Sequence, residues 1–498
     1  ALGSTYWPLQ NIGSEFIPPL DEGDLMYMPT TYPSISIGNA REILQQTDKL
    51  IMTVPEVKTV FGKIGRAETA TDPAPLTMIE TFIQLKDRSE WREGMTTELL
   101  KKELDNLVKL PGLTNAWVMP IKTRIDMLAT GIKTPVGIKV AGADISVIQQ
   151  IGQQLETILA EVPGTASVYS ERVAGGRYIK VDIDRGKASR FGLNIADVQQ
   201  VVASAIGGVN VTQTVEGLER YPVNIRYPQS YRDSPEQMAL LPIVTAKGQR
   251  IALGDVAEIK IENGPPAIKS ENSRINGWTF VDIEGVDIGS YVENAMEKVR
   301  AELDLPAGYS IHWSGQYEYM LRAKEKLTYV VPLTLAIIAI LLFINFRNFT
   351  EVALLMGTLP FALIGSIWLL DLLNFNFSIA VGVGFIALAG VAVEISVIML
   401  VYLNQAWREE LTKNSTSTLS KAQLRQAVIS GAGLRVRPVM MTAAAVIIGL
   451  IPILFGTGTG SEVMSRIAAP MVGGMVSSVI LTLLVLPVVF YLWKVRAK

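Results

Sequence analysis

Cysteine is absent from this 498-residue sequence, and histidine occurs only once, as His312. The lack of cysteine excludes disulfides and thiolate metal sites. One histidine cannot build a zinc or di-iron centre of the usual kind, so any metal site must use carboxylates, backbone oxygens or methionine sulfur. Only 18% of the residues are charged and the net charge is −2, which leaves no basic surface for nucleic acid. No nucleophile–base pair, phosphate loop or cofactor motif occurs, so we expect neither an enzyme nor a bound cofactor.

Long apolar runs appear only after about residue 327, where the composition changes from that of a soluble α/β protein. Five segments there are apolar enough to span a bilayer, at 327–346, 351–373, 377–403, 438–457 and 467–494. Basic residues concentrate in the loop after the first span, in the third loop and in the tail, whereas the other two loops contain only Arg466. The positive-inside rule therefore places the basic loops in the cytoplasm and the preceding α/β part outside it. No export signal precedes that part in the sequence, so we expect an upstream half with its own spans, and we interpret the chain as the C-terminal part of a larger transporter.

The α/β part is built from repeated β-α-β units. Amphipathic helices are predicted near 39–54, 96–109, 144–162 and 288–303, and each ends close to a proline that stops it, in TVPEV, KLPGL, EVPGT and DLPAG. Two such units form a ferredoxin-like split βαβ subdomain. The first pair covers about 20–120, and the second is divided between 134–172 and 274–315 by an insertion of about 100 residues that we interpret as a small α+β domain.

The stretch PLTMIETFIQL, residues 75–85, alternates like a strand and puts Met78 and Glu80 on one face. A thioether is a soft neutral donor that favours soft monovalent ions, and a nearby carboxylate supplies negative potential. The alternative is that Met78 only fills a gap in a core, as most methionines do.

Several longer motifs resemble one family. Two ferredoxin-like subdomains, one with an insertion, followed by five spans resemble the second half of a resistance–nodulation–division (RND) efflux pump. The segment VDIDRGKASRFGLNIADVQQ is similar to the one that leads into the docking domain of these pumps. Five further segments resemble the heavy-metal branch, and within it the copper and silver pumps: DEGDLMYMPTT, RAETATDPAPLTMIET, RIDMLATGIKTPVGIKV, GFIALAGVAVEISVIML and GTGSEVMSRIAAPMVGGM.

The resemblance implies an α+β periplasmic porter of ferredoxin-like βαβ subdomains with an inserted docking domain, joined to an all-α transmembrane bundle of five helices. The expected division is a segment 1–19 after an upstream span, a first porter subdomain 20–133, a second at 134–175 and 271–320, a docking insertion at 176–270 and a transmembrane domain at 325–498.

The resemblance also implies sites. Three methionines match the metal ligands of these pumps: Met28, Met78 and Met127, with Glu80 nearby. Four charged residues match positions that line the cleft: Glu22, Asp72, Arg124 and Lys133. Met464 matches a membrane-side position that could hand on metal.

Glu394 lies inside the third span, where a charge costs roughly 2.5–3.5 kcal/mol on insertion scales and usually marks an ion or proton pathway. The resemblance implies that it belongs to a proton relay, while a hydrogen-bonded structural glutamate is the alternative. One departure concerns its partner: the copper pumps have lysine after VRP, whereas this chain has Val439, which leaves Thr442 as the candidate polar neighbour.

The expected function is that of the inner-membrane subunit of a proton-driven tripartite pump, a secondary active transporter that exports Cu(I) or Ag(I). Its expected partners are two further copies in a homotrimer, a periplasmic adaptor (membrane fusion protein), an outer-membrane channel and the bilayer of a bacterial inner membrane. Three alternatives remain: a divalent-metal RND exporter for Zn, Co, Cd or Ni, a drug-exporting RND pump, and a non-transporting membrane assembly factor. The single histidine disfavours the first, and the aromatic content of 7% disfavours the second.

Overall fold

The computed structural model describes residues 2–18, 20–31, 33, 35–65, 75–173, 175–414 and 419–496. After a short helix, α1 (Tyr6–Asn11), comes an N-terminal α/β unit. Its elements are β1 (Leu25–Tyr27), α2 (Ile37–Ile51), β2 (Val57–Lys63), β3 (Glu80–Leu85), α3 (Thr97–Leu107), β4 (Trp117–Val118) and α4 (Pro120–Thr130). The antiparallel sheet has the order β2-β3-β1-β4. Leu25, Tyr27 and Ile83 pack with α2 and α3 on one of its faces.

Two features of this unit differ from the sequence prediction. Strand β3 is shorter than the predicted 75–85, because the Met78 amide donates to the Pro75 carbonyl (3.0 Å) and closes a turn before the strand. Met78 forms only an isolated bridge with Thr30. Helix α4 was not predicted, although Pro120 at its first turn and left-handed Gly131 after its end are typical boundary residues.

A second α/β unit is interrupted by an insert. It begins with β5 (Val136–Gly142), α5 (Ile145–Ala160) and β6 (Thr165–Ser170). The insert comprises β7 (Gly176–Ile183), α6 (Arg185–Arg190), α7 (Ile195–Val201), β8 (Val209–Glu216), β9 (Glu219–Ile225), α8 (Pro235–Ala239), β10 (Pro242–Val244), β11 (Arg250–Ala252), α9 (Leu253–Val256) and β12 (Ala257–Gly264). The unit, here called the split α/β unit, resumes with β13 (Lys269–Glu271), β14 (Arg274–Ile283), α10 (Ile288–Glu302) and β15 (Ser310–Gly315).

The split unit has one sheet, ordered β13-β14-β5-β15, with β6 also paired to β14. Its core lies between this sheet and helices α5 and α10, around Ile148, Leu155, Val281 and Val292. In the insert, β7 pairs with β12, β10 pairs with β11, and β8 and β9 form a hairpin whose residues are all exposed.

The remaining elements are long apolar helices. They are α11 (Gln316–Phe346), α12 (Phe349–Met356), α13 (Leu359–Leu372), α14 (Ile379–Lys413), α15 (Lys421–Leu454) and α16 (Ser461–Arg496). With α12 and α13 taken together, five helices of the described residues are long and apolar enough to cross a membrane, in agreement with the five predicted spans. Helix α11 begins well before the predicted position 327, because left-handed Gly315 (φ 81°) turns the chain directly from β15 into it.

Candidate metal and proton sites

Strand register brings Met28 and Met78 to one face of the N-terminal sheet. Met26 pairs with Phe82 and Tyr27 with Thr81, and the Thr30–Met78 bridge continues the same register. Met28 therefore stands opposite Glu80. Successive strand residues alternate between faces, so Met28, Met78 and Glu80 share the face away from the unit's core.

The spacing of this register allows the two thioethers to converge. Directly opposed Cβ atoms are about 4.5–5.5 Å apart and diagonal neighbours about 7–8 Å apart, and Met78 is the diagonal neighbour of Met28. Methionine has three rotatable bonds and can cover such a gap. Met28 is fully buried and Met78 is partly exposed. Solvent therefore reaches this pair of methionines only through Met78.

Helix α4 reaches the same face through one side chain and carries the third methionine. Its Arg124 reaches Glu80, with Nη2 3.4 Å from Oε2. Met127 follows Arg124 by three residues, a spacing that puts both side chains on one side of a helix. We therefore call Met28, Met78, Met127 and Glu80 the methionine face.

Glu22 holds this helix in place from a distance in sequence. Its carboxylate oxygens accept hydrogen bonds from the backbone amides of Ile121 (2.7 Å) and Lys122 (2.8 Å) in the first turn of α4. A carboxylate suits this position because the first amides of a helix lack internal partners and the dipole is positive there. Sequence reasoning assigned Glu22 to the cleft lining, and the structure gives it this capping contact.

The charges around the methionine face are already paired. Glu80 is 5% exposed and also contacts Lys63, whose Nζ lies 2.9 Å from Oε2. Lys133 is buried, and its ammonium donates to the Met28 carbonyl (3.0 Å) and to Thr30 Oγ1 (2.6 Å). Burial lowers the pKa of Lys133 to about 8. Lys133 is therefore buried against the Met28–Thr30 backbone segment, and it does not line an open surface.

The other predicted residues lie elsewhere. Asp72 falls outside the described residues. Met464 is 49% exposed in the first turn of α16. His312 is exposed on β15, in the other sheet. Within the described ranges, no group of three or more His, Cys, Asp or Glu side chains could hold a metal ion.

Glu394 lies on the exposed side of α14, between buried Val393 and Ile395. Among the described residues it has no hydrogen-bond or ion-pair partner. Val439 packs into an apolar cluster with Ile395, so its side chain fills the interior of the helical bundle. Thr442 is exposed and donates to the Val439 carbonyl (3.1 Å).

A buried ion pair that sequence reasoning missed joins Glu15 to Arg466, with Nε 3.1 Å from Oε1. The two residues are 451 positions apart, so no local pattern could reveal the pair. The available signal was that Arg466 is the only basic residue in the two loops that the positive-inside rule places outside the cytoplasm.

Comparison with known proteins gives consistent matches over almost the whole chain. The model of the AcrB/AcrD/AcrF family matches residues 1–494. The chain is 52% identical to the cation efflux system protein CusA of Escherichia coli (strain K12), covering 99% of this chain and 47% of that protein. It is 51% identical to the putative cation efflux system protein SilA of Salmonella typhimurium, with the same coverage.

More distant matches follow. The cobalt-zinc-cadmium resistance protein CzcA of Cupriavidus metallidurans is 35% identical, over 97% of this chain and 45% of that protein. Two crystal forms of a heavy metal efflux pump superpose with TM-scores of 0.86 and 0.87 at 31% identity, covering 99% of this chain and 49% of the pump. The chain thus spans about half the length of the relatives that it matches.

Proposed function

The chain belongs to the AcrB/AcrD/AcrF family, and on that basis we propose that it is the cargo-binding half of a heavy-metal efflux pump that exports Cu(I) or Ag(I). The observation that supports the proposal is the methionine face: strand register puts Met28 and Met78 on one face of the sheet, and Arg124, one helical turn before Met127, contacts Glu80 on that face. Soft thioethers favour soft monovalent ions and are poor ligands for Zn(II). A thioether needs no deprotonation, so the ion does not compete with protons for it.

The divalent-metal alternative has less support. Imidazole and carboxylate would be its expected ligands, yet the only histidine lies on the sheet of the split α/β unit. The identity of 35% with the cobalt-zinc-cadmium protein is also well below the 52% with CusA.

We assign the driving force to protons that bind Glu394. A glutamate on a membrane-spanning helix is costly when it faces lipid, so we propose that further protein covers this side of α14 in the assembled pump. Thr442 remains the candidate polar neighbour within this chain, because Val439 points into the bundle.

The proposed setting is a bacterial inner membrane, with both α/β units and the insert in the periplasm as porter and docking domain. The exposed β8–β9 hairpin presents apolar residues such as Val215 and Leu218 to solvent, which supports a role in contacts with partners. These partners would be two further copies of the pump, a periplasmic adaptor and an outer-membrane channel.

Titration of the purified full-length pump with Ag(I) or Cu(I) tests the cargo assignment. Met78→Leu nearly conserves volume and usually costs less than about 1.5 kcal/mol of stability, so it should fold normally and bind Ag(I) at least ten-fold more weakly. Met238→Leu is the matched control, because Met238 is 1% exposed in the core of the insert, and it should bind as wild type does. Equal affinities for wild type and Met78→Leu would refute the methionine site.

A further inference from the structure

Residues 12–16, here called the strap, join the helical part to the α/β part. The Phe377 amide donates to the Gly13 carbonyl (2.8 Å), and the Glu15 amide donates to the Phe377 carbonyl (3.0 Å). Phe377 immediately precedes Ser378, the N-cap of α14. One edge of the strap is thus fixed to the beginning of the helix that carries Glu394.

The other edge of the strap is fixed to the beginning of α10, in the split α/β unit. The Ser14 amide donates to Asp287 Oδ2 (2.9 Å), which also caps α10, and the Gly289 amide donates to the Ser14 carbonyl (3.1 Å). Packing here is too close for side chains: a Cβ on Gly13 would lie 2.5 Å from Asp287 Cγ, and one on Gly289 would lie 1.9 Å from Ser14 Oγ.

A buried ion pair fixes the strap to a third helix. Glu15 is 9% exposed and Arg466, near the beginning of α16, is 12% exposed. Asn376 donates to the second Glu15 oxygen (3.2 Å), and the Arg466 guanidinium lies 4.5 Å from the Phe375 ring centre. Desolvation offsets most of the Coulomb gain of a buried pair, so its best-attested use is to select one arrangement of the parts that it joins.

Helices α14 and α16 are in backbone contact next to this pair. A Cβ on Gly384 would lie 2.5 Å from both the Ile467 carbonyl oxygen and Pro470 Cγ. We expect such close packing to couple any displacement of the beginnings of the two helices. Glu394 lies 15 residues after Ile379 on α14, about 22 Å along the helix axis.

We propose that Glu15 and Arg466 are positioning residues that transmit displacements of α14 and α16 to α10. Protonation changes at Glu394 then reach the split α/β unit through the strap, in addition to the covalent link through α11. The inference rests on the proposed function, in which proton movement in the membrane drives transport by the periplasmic part.

The first test measures Ag(I) binding and Ag(I) transport separately, with the full-length pump in proteoliposomes under an imposed pH gradient. Glu15→Gln and Arg466→Gln should each lower transport at least ten-fold and leave the Kd for Ag(I) within two-fold of wild type. The charge-swapped pair Glu15→Arg with Arg466→Glu should recover most of the transport. Glu297→Gln, an exposed change on α10, is the control and should transport at the wild-type rate.

Two results of this test would overturn the proposal: wild-type transport by Glu15→Gln, or a loss of Ag(I) binding in proportion to the loss of transport. If Glu15→Gln does not accumulate in the membrane, the charge-swapped pair decides, because it must both accumulate and transport. A wild-type pump that moves no Ag(I) would refute the proposed function and not the strap.

The second test needs no metal. The pump is first freed of any other cysteine. Spin labels on Arg300→Cys in α10 and Thr459→Cys before α16 then report the distance between the split α/β unit and the helical part. Glu394→Gln, which mimics the protonated carboxyl, should shift this distance when the Glu15–Arg466 pair is intact and leave it unchanged in the Glu15→Gln background. The same shift in both backgrounds, or no shift in either, would refute the strap as the coupling element.

Discussion

At the residue scale, Glu80 shows how a buried carboxylate can serve a cation site without standing unpaired. Lys63 and Arg124 both contact it, so its charge is balanced in the absence of metal. A bound monovalent cation would compete with these two side chains for the carboxylate. This competition would limit the contribution of Glu80 to metal affinity, which suits the proposed site because a pump must release its cargo.

Asp282 gives a pH-dependent prediction. Burial raises the pKa of its carboxyl from 3.8 to about 6, so between these values the folded protein binds more protons than the unfolded chain. Stability from this group is therefore lost as the pH rises through this window. Asp282→Asn should stabilise the protein by roughly 2 kcal/mol more at pH 7.5 than at pH 4.5. Thermal unfolding at both pH values checks this, and an equal effect at the two would contradict it.

Glu394→Gln, made in the full-length pump, should abolish metal resistance and leave Ag(I) affinity unchanged, because the proposed proton and metal sites lie in different parts of the molecule. Growth on silver salts and Ag(I) titration of the purified variant are the measurements. Glu409→Gln, at an exposed position near the end of α14, is the control. If the Glu394→Gln variant confers wild-type resistance, Glu394 has no essential role in proton coupling.

At the element scale, α4 depends on contacts from outside itself. Its N-cap residue, Met119, provides no side-chain cap, and Glu22 supplies the missing acceptors from the loop before β1. The same contact ties α4 to the loop before β1, so we expect the cap to influence the position of Met127 relative to Met28 and Met78.

Glu22→Ala should therefore destabilise α4 by about 1 kcal/mol, as loss of an N-cap does. It should also weaken Ag(I) binding several-fold, because Met127 is then less firmly positioned. Glu98→Ala removes an exposed first-turn acid of α3 and controls for the loss of charge alone. Thermal unfolding and Ag(I) titration are the measurements, and identical behaviour of the two variants would show that the cap has no influence on the site.

At the scale of the whole molecule, the ion pair provides a partner for the one basic residue in the two loops that are predicted to lie outside the cytoplasm. These two loops contain no other basic residue, and Glu15 neutralises the charge of Arg466 within the protein. The positive-inside rule counts Lys and Arg, not net charge, so the predicted orientation rests on the excess of basic residues in the other loops.

Single cysteines can test this orientation, because the chain has none of its own. A cysteine at Thr412, in the basic region after the third span, should react with a membrane-impermeant maleimide only after the inner membrane is opened. A cysteine at Glu297, exposed on α10, should react from the periplasmic side of intact spheroplasts. The reverse labelling pattern would show the opposite membrane orientation and contradict the prediction.

The sequence by itself determined the five apolar spans and the periodic helices, because hydrophobicity and 3.6-residue spacing are local properties, and its loop charges predict the orientation. It also predicted Met28, Met78 and Met127 as metal ligands, by resemblance to known motifs. It did not predict α4, whose signal is limited to its boundary residues Pro120 and Gly131.

Only the tertiary structure decided which groups meet. Strand register placed Met28 opposite Glu80, and the cap by Glu22 crosses 99 residues of sequence. The Glu15–Arg466 pair crosses 451. Contacts of this kind depend on how sheets and helices pack, and no local sequence pattern encodes them. The burial of individual side chains, the ion pairs and the contacts of the strap could therefore be derived only from the folded chain.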